Sequence, residues 1–248
     1  MNDILKIRYD GAEVSEKRRQ IREAVIQRSA NVKSFDIKKI SGEDLELLYE
    51  LYDSLFFQDW FRNNYRGTLE FSFSRRMTKS AGITSFPRNI DPSRPSNVVV
   101  KVKISTDFIL RYGSAEGERS VAGIGTESSL EALQLIFEHE MVHVIEFIHF
   151  QRSSCKGKRF KTIASNLFSH TESYHRLPTN QEIARQQLGI IPGDRISFRF
   201  EGKQLEGIVH RINKRATVMV PDQHGAFADK KGNRYAKYYV PLSIIRKK

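Results

Sequence analysis

Between Leu130 and Ile148 the chain is apolar on most sides of a helix rather than along a single stripe, the pattern of a buried helix. Ser128-Ser129-Leu130-Glu131 precedes it in the form of a capping box, with Ser128 at the N-cap and Glu131 reaching back. A helix is therefore expected over residues 128–150. A second is expected over 42–60, where Leu45, Leu48, Leu51, Tyr52, Leu55 and Phe56 recur at helical spacing. Residues 68–74 alternate, with Leu69, Phe71 and Phe73 on one face, and read as a strand. Residues 81–86 are its expected partner across a turn at 77–80, and 97–105 form a third strand. Residues 87–95 read as a Pro/Ser/Asn/Asp loop, and 113–125 as a glycine-rich connection into the buried helix. Its Gly123-Ile124-Gly125 lacks the strand–turn–helix setting of a nucleotide fingerprint.

Beyond a polar turn at 151–157, a helix over 158–168 turns Phe160, Ile163, Ala164, Leu167 and Phe168 inward. Leu177-Pro178-Thr179 breaks the pattern, and Thr179 caps a short helix over 180–188 that ends at Gly189. From Ile190 short strands at 195–201, 204–213, 216–220 and 234–240 alternate with turns, the spacing of a small antiparallel barrel. The expected organisation is a basic N-terminal arm (1–40) with one exposed helix at 15–28, a main domain (41–176), a linker helix (177–189) and a small basic β-barrel (190–248).

Inside the buried helix lies His139-Glu140-Met141-Val142-His143, an H-E-x-x-H motif. Four residues are about one helical turn, so both imidazoles leave the same face. Two His and a Glu on an apolar helix are costly without partners. A zinc ion satisfies both rings, with Glu140 placed as base toward the water it activates. With 7 His and 18 Glu in 248 residues, a shuffled chain shows this motif with a probability of about 1–2%. The alternative is a pair of hydrogen-bonded core histidines.

A catalytic zinc usually has a third protein ligand. Cys155, in the turn after the helix, is the leading candidate, and His170, His175 and His149 are alternatives, together with an acid or no third ligand. His149 completes the H-E-x-x-H-x-x-x-x-x-H spacing, but that geometry needs a turn where Glu146 continues the helix. Six residues of helix rotate about 600°, which aims His149 about 120° away from His143.

The chain carries 41 Lys and Arg against 29 Asp and Glu, a net charge of +12, which favours nucleic acid, an anionic membrane surface or an acidic partner; with no lipid-anchor motif, nucleic acid, DNA above all, is the expected one. Residues 190–248 alone hold 13 basic and 5 acidic residues, interleaved with Phe198, Phe200, Phe227, Tyr235, Tyr238 and Tyr239. Phosphate contacts and base stacking use that mixture; barrel core and solubilising charge is the other reading. The basic residues of the arm are a second candidate contact. Hydrophobic content is 39% and charged content 28%, as in soluble globular proteins. No run approaches the ~20 apolar residues of a membrane span. Cys155 is the one cysteine, so no internal disulfide forms, and a reducing cytoplasm is expected, at the nucleoid in a bacterium.

An ordered set of segments resembles the SprT-like (Spartan-related) zinc metallopeptidases. It comprises Leu48-Tyr49-Glu50-Leu51-Tyr52 with Leu55-Phe56, the stretch from Phe71 to Gly82, His139 to His143, Gly157-Lys158-Arg159-Phe160, and Phe168-Ser169-His170-Thr171. It spans about 41–175. The resemblance implies an α+β fold: a zincin-like metallopeptidase domain of helices and a small mixed sheet, followed by a small antiparallel SH3-like β-barrel. It implies Zn2+ as cofactor, Glu140 as catalytic base, and protein substrates bound or crosslinked to DNA, as in DNA–protein crosslink repair. The family's usual third ligand is a His in a His-Gly-x-x-Phe element, and here Lys156 occupies that position. Either Cys155 beside it substitutes, as in a branch of the family with Cys in this turn, or the site is weakened. In the latter case the chain is an inactive scaffold whose barrel binds nucleic acid or a transcription complex.

Overall fold

A computed structural model describes residues 3–88, 95–114 and 116–248. The fold is α+β and divides into two compact units, residues 1–113 with 117–177, and 114–116 with 178–248. No helix among the described residues is long and apolar enough to cross a membrane. Most of the loop expected at 87–95 lies outside the described residues.

In the first unit α1 (Gly11–Arg28), α2 (Gly42–Leu55) and α3 (Trp60–Asn64) precede β1 (Thr68–Ser74), β2 (Gly82–Ser85) and β3 (Val99–Ser105). The short α4 (Thr106–Leu110), β4 (Ser120–Val121) and β5 (Ile124–Gly125) follow, then α5 (Ser129–Phe150), α6 (Lys158–Phe168) and β6 (His175–Arg176). α5 packs on β2 and β3, and α2 on β1. Ser128 caps α5 by accepting the Glu131 N–H, while the Glu131 carboxylate accepts from the Glu127 N–H instead of closing the capping box.

Sheet order, a helix end and the N-terminal segment also differ from expectation. Residues 81–86 do not pair with 68–74: β3 lies between them, parallel to β1 and antiparallel to β2. Val100, Val102 and Ile104, all fully buried, make β3 the apolar centre strand, whereas the half-buried β1 and β2 suit the edges. The helix expected over 42–60 ends at Leu55, because Gln58 and Asp59 adopt left-handed backbone angles. The Asp53 carboxylate then accepts from the Phe61 and Arg62 N–H groups and starts α3.

Residues 3–40 are no separate arm either. α1 buries Val14, Arg18, Ile21 and Val25. Its Arg18 holds Glu138 of α5 in a two-pronged ion pair, Nε to Oε1 at 2.8 Å and Nη2 to Oε2 at 2.6 Å. The Tyr52 hydroxyl of α2 donates to Oε1 at 2.5 Å, and His170 Nε2 to Oε2 at 2.8 Å. Around this network Tyr52, Phe56, Phe57, Phe137 and Phe168 pack with ring centroids 5.0–6.2 Å apart.

The second unit begins with α7 (Asn180–Leu188), capped by Thr179 and stopped by Gly189 as expected. Then come β7 (Arg195–Phe200), β8 (Lys203–Ile212), β9 (Arg215–Pro221), β10 (Phe227–Ala228), β11 (Arg234–Pro241) and β12 (Arg246–Lys247). They form one antiparallel sheet in the order β10-β11-β9-β8-β7-β12. Ile196, Phe198, Val209, Ile212, Ala216, Val218, Val220 and Val240 build its core with Ala184 and Ile190. A bulge between Val209 and Arg211 lets both Val209 and Ile212 face inward.

Arg18→Leu would strand the Glu138 carboxylate in the core. Equilibrium urea denaturation should show a loss of about 3–5 kcal/mol; a loss below about 1 kcal/mol would show that the pair is not needed to stabilise the first unit.

Candidate metal centre

α5 presents His139 and His143 on one face, and their rings lie 5.0 Å apart centroid to centroid. Both pack against Phe160 of α6, at 4.9 and 4.5 Å. The left-handed Gln151 ends α5 and sends the chain back over its last turns. Buried Glu146 fixes that return: its Oε2 accepts from the Ser153 hydroxyl at 2.6 Å and the Ser154 N–H at 2.9 Å, and Oε1 from Arg159 Nε at 3.4 Å. Cys155 is thereby brought to the histidines. One ligand atom from each of His139, His143 and Cys155 lies within 4.8 Å of the other two.

The donor set fits zinc. With Zn–N near 2.0–2.1 Å and Zn–S near 2.3 Å, a tetrahedral ion would space two nitrogens and one sulfur about 3.3–3.6 Å apart, so a shift of about 1 Å gathers these three. The Ser153 proton is committed to Glu146, so its oxygen accepts the Nδ1–H of His143 across 2.7 Å. That tautomer leaves His143 Nε2 as the free nitrogen. His139 Nδ1 is buried without a hydrogen-bond partner. Burial, reinforced by neighbouring histidines, pushes His139 down to about 2. Burial also pushes His143 down to about 4. Both rings are neutral at neutral pH, the form a metal requires.

Glu140 turns toward β2, where the Thr84 hydroxyl donates to its Oε2 at 2.6 Å. Gly82 lies so close that any Cβ there would collide with the Glu140 side chain. Burial, opposed by the Thr84 hydrogen bond, pushes the Glu140 carboxyl up to about 7. At neutral pH such a group both takes and gives protons.

Two of the alternative ligands, His170 and His149, lie elsewhere. His170 is bound to Glu138. α5 continues unbroken past Glu146, and His149 packs on Trp60 at 5.4 Å. His175 comes nearer: β6 pairs it with Val121 of β4, and its ring stands 4.8 Å from that of His139, outside the three-ligand group. Lys156 is exposed. The sequence reading found His139, Glu140, His143 and Cys155 but missed Thr84, Gly82, Ser153 and the anchoring role of Glu146. Only a small hydroxyl two residues before Cys155 hinted at any of these. Comparisons with known protein families, curated proteins and solved structures find no match.

Two predictions follow from this geometry. Ser153→Ala frees the His143 ring to turn, and a competitive chelator titration should show zinc affinity lowered about 10–100-fold; unchanged affinity would remove Ser153 from the site. In metal-free protein the raised Glu140 carboxyl stabilises the fold fully only below its ordinary value of 4.5, and the benefit is lost as pH rises through about 7. Glu140→Gln should therefore gain stability over wild type between pH 4.5 and 8, by up to about 3 kcal/mol. Parallel melting curves of chelator-treated proteins check this, and a difference independent of pH would contradict it.

Proposed function

We propose that the chain is a zinc-dependent metallopeptidase of the SprT-like kind, acting on proteins bound or crosslinked to DNA. One observation carries the reading: His139 and His143, on the helix that also holds Glu140, converge with Cys155 from the following turn to within 4.8 Å. A zincin-like arrangement of the first unit and an SH3-like closure of the second belong to the same proposal, as does a cytoplasmic location at the DNA.

Zinc, when bound, supplies Lewis-acid activation of water and of a peptide carbonyl. The rest is the work of this chain. His139 and His143 enter as neutral imidazoles, and Cys155 offers its sulfur. Ser153 and Glu146 hold the His143 ring to one tautomer. Glu140 accepts a proton from the attacking water on a carboxylate oxygen and delivers it to the leaving amine. Thr84 keeps that carboxylate turned toward β2. β2 is the edge of its sheet, so an extended peptide can add to it beside Glu140 by main-chain hydrogen bonds. The basic second unit gives the same chain affinity for DNA and so raises its concentration near DNA-bound proteins.

Lys156 in place of the family's histidine supports a second reading, a scaffold that binds zinc and DNA without cleaving. Metal analysis and proteolysis separate the two. The purified protein should carry one zinc per chain, and Cys155→Ser should lower that content. With DNA present, wild type should cleave a DNA-binding protein substrate, and Glu140→Gln should keep its zinc while losing 10²–10⁴-fold in rate, roughly the range for general-base removal. Absence of stoichiometric zinc, or unchanged cleavage by Glu140→Gln, would overturn the peptidase reading. Zinc without cleavage by wild type selects the scaffold.

A further inference from the structure

The sheet of the second unit has two faces of different character. Strand registers fix which side chains share each one. Ile196, Phe198, Val209, Val218 and Val240 point into the core. On the opposite face Phe227 pairs with Tyr235, and Lys237 and Tyr239 follow Tyr235 at every second position of β11. Across the sheet the register continues as Tyr239–Thr217–Arg211 and as Lys237–Met219–Ile208–Arg195. Arg215 and Arg199 lie on this face too, opposite Pro241 and Gln204.

The aromatics here do not serve the core. Tyr239 is 63% exposed and Phe227 40%, whereas Phe198 on the inner face is 2% exposed. Lys237 Nζ stands 3.7 Å from the Phe227 ring centroid, which sets a cation beside an aromatic plane. Arg195, Arg199, Arg211 and Arg215 are exposed. Of the carboxylates at this face, Glu206 is paired with Lys248 and Asp229 accepts from the Tyr235 hydroxyl at 3.1 Å. The face is thus cationic and studded with open rings. Duplex DNA offers phosphates but hides the flat faces of its bases in the stack. Single strands offer both.

We propose that this outer face binds single-stranded DNA, with bases stacked on Tyr239 and Phe227 and phosphates held by Arg195, Arg211, Arg215 and Lys237. This deepens the nucleic-acid part of the proposed function and rests on it. The face reads base planes and phosphates, and neither contact requires a 2′-hydroxyl, so RNA gains nothing over DNA. The strand selectivity confines the second unit to DNA that is locally unpaired.

Fluorescence anisotropy with the full chain tests this, using a labelled 15-nucleotide single strand, its duplex and the RNA of the same sequence. The single DNA strand should bind at least tenfold more tightly than the duplex, and the RNA no more tightly than the DNA. Tyr239→Ala and Phe227→Ala should each weaken single-strand binding by roughly 5- to 150-fold, with little change for duplex, while Tyr239→Phe retains binding. Arg211→Gln should instead lower the salt dependence by about 0.7 in the log–log slope. Equal or tighter duplex binding, a tenfold preference for RNA, or alanine variants that melt and bind like wild type would overturn the proposal. Zinc content and DNA-independent cleavage, measured on the same variants, should not move. Loss of strand selectivity with zinc and cleavage intact defeats this inference alone, and the converse defeats only the peptidase reading.

Discussion

The first unit is organised around one buried carboxylate. Glu138 is wholly inaccessible to solvent, and a charge in that position is tolerated only if donors surround it. Burial alone would raise its carboxyl, but the Arg18 fork and His170 outweigh that and hold it at about 2. The donors come from far apart in the chain: α1 supplies Arg18, α2 supplies Tyr52, and the residues after α6 supply His170. Arg18 also donates to the Phe168 carbonyl at 2.7 Å, which closes the end of α6 onto α1. Each element must therefore arrive in a definite rotation about α5, because a shift of one residue would withdraw its donor. Hydrophobic packing of the aromatic cluster brings these helices together without direction; the ionic network gives them their rotational setting.

That setting fixes the next residues on the same helix. Glu138 and Glu140 are two positions apart on α5 and so point to different sides. One side is closed by the Arg18 cation, an imidazole and a phenol, and its carboxyl sits at about 2; the other meets the Thr84 hydroxyl and the bare backbone of Gly82, and its carboxyl sits at about 7. Two carboxyls on one helix are thus driven apart by their surroundings alone. His139 lies between them and faces neither, which leaves it to Cys155 and His143. The centre owes its form to the satisfaction of its neighbours as much as to its own ligands.

What the sequence disclosed was local. The α5 motif, the Ser128 and Thr179 caps, the Gly189 stop and the period-two strands of residues 195–240 are written within a few positions of where they act. The candidate ligands followed because helical spacing and a short turn bound Cys155 close to His143. The order β1-β3-β2 was hidden because alternation identifies a strand without naming its neighbour. Arg18 reads as one of the arm's exposed basic residues because its partner is 120 residues away, and α1 consequently reads as part of an arm. The break at Gln58 and Asp59 was invisible to an apolar stripe that runs straight through it. It depends on Asp53, whose side chain prefers capping the next helix.

In the second unit the same period of two carries a further argument. Alternation places aromatics on both faces of a sheet, and burial then decides which of them stabilise it. Phe198 is consumed by the core, and Tyr238 packs on Phe198 at 5.6 Å and Phe200 at 5.2 Å. Tyr239, one residue on, points the other way and contributes little burial. An open aromatic on an unpaired sheet face is a hazard for association, and the arginines around it counter that by charge repulsion between like faces. The same charges that repel a like face attract a polyanion. In the proposed contact with single-stranded DNA, exposed ring and flanking cation act as one device, which neither a purely apolar nor a purely basic face could provide.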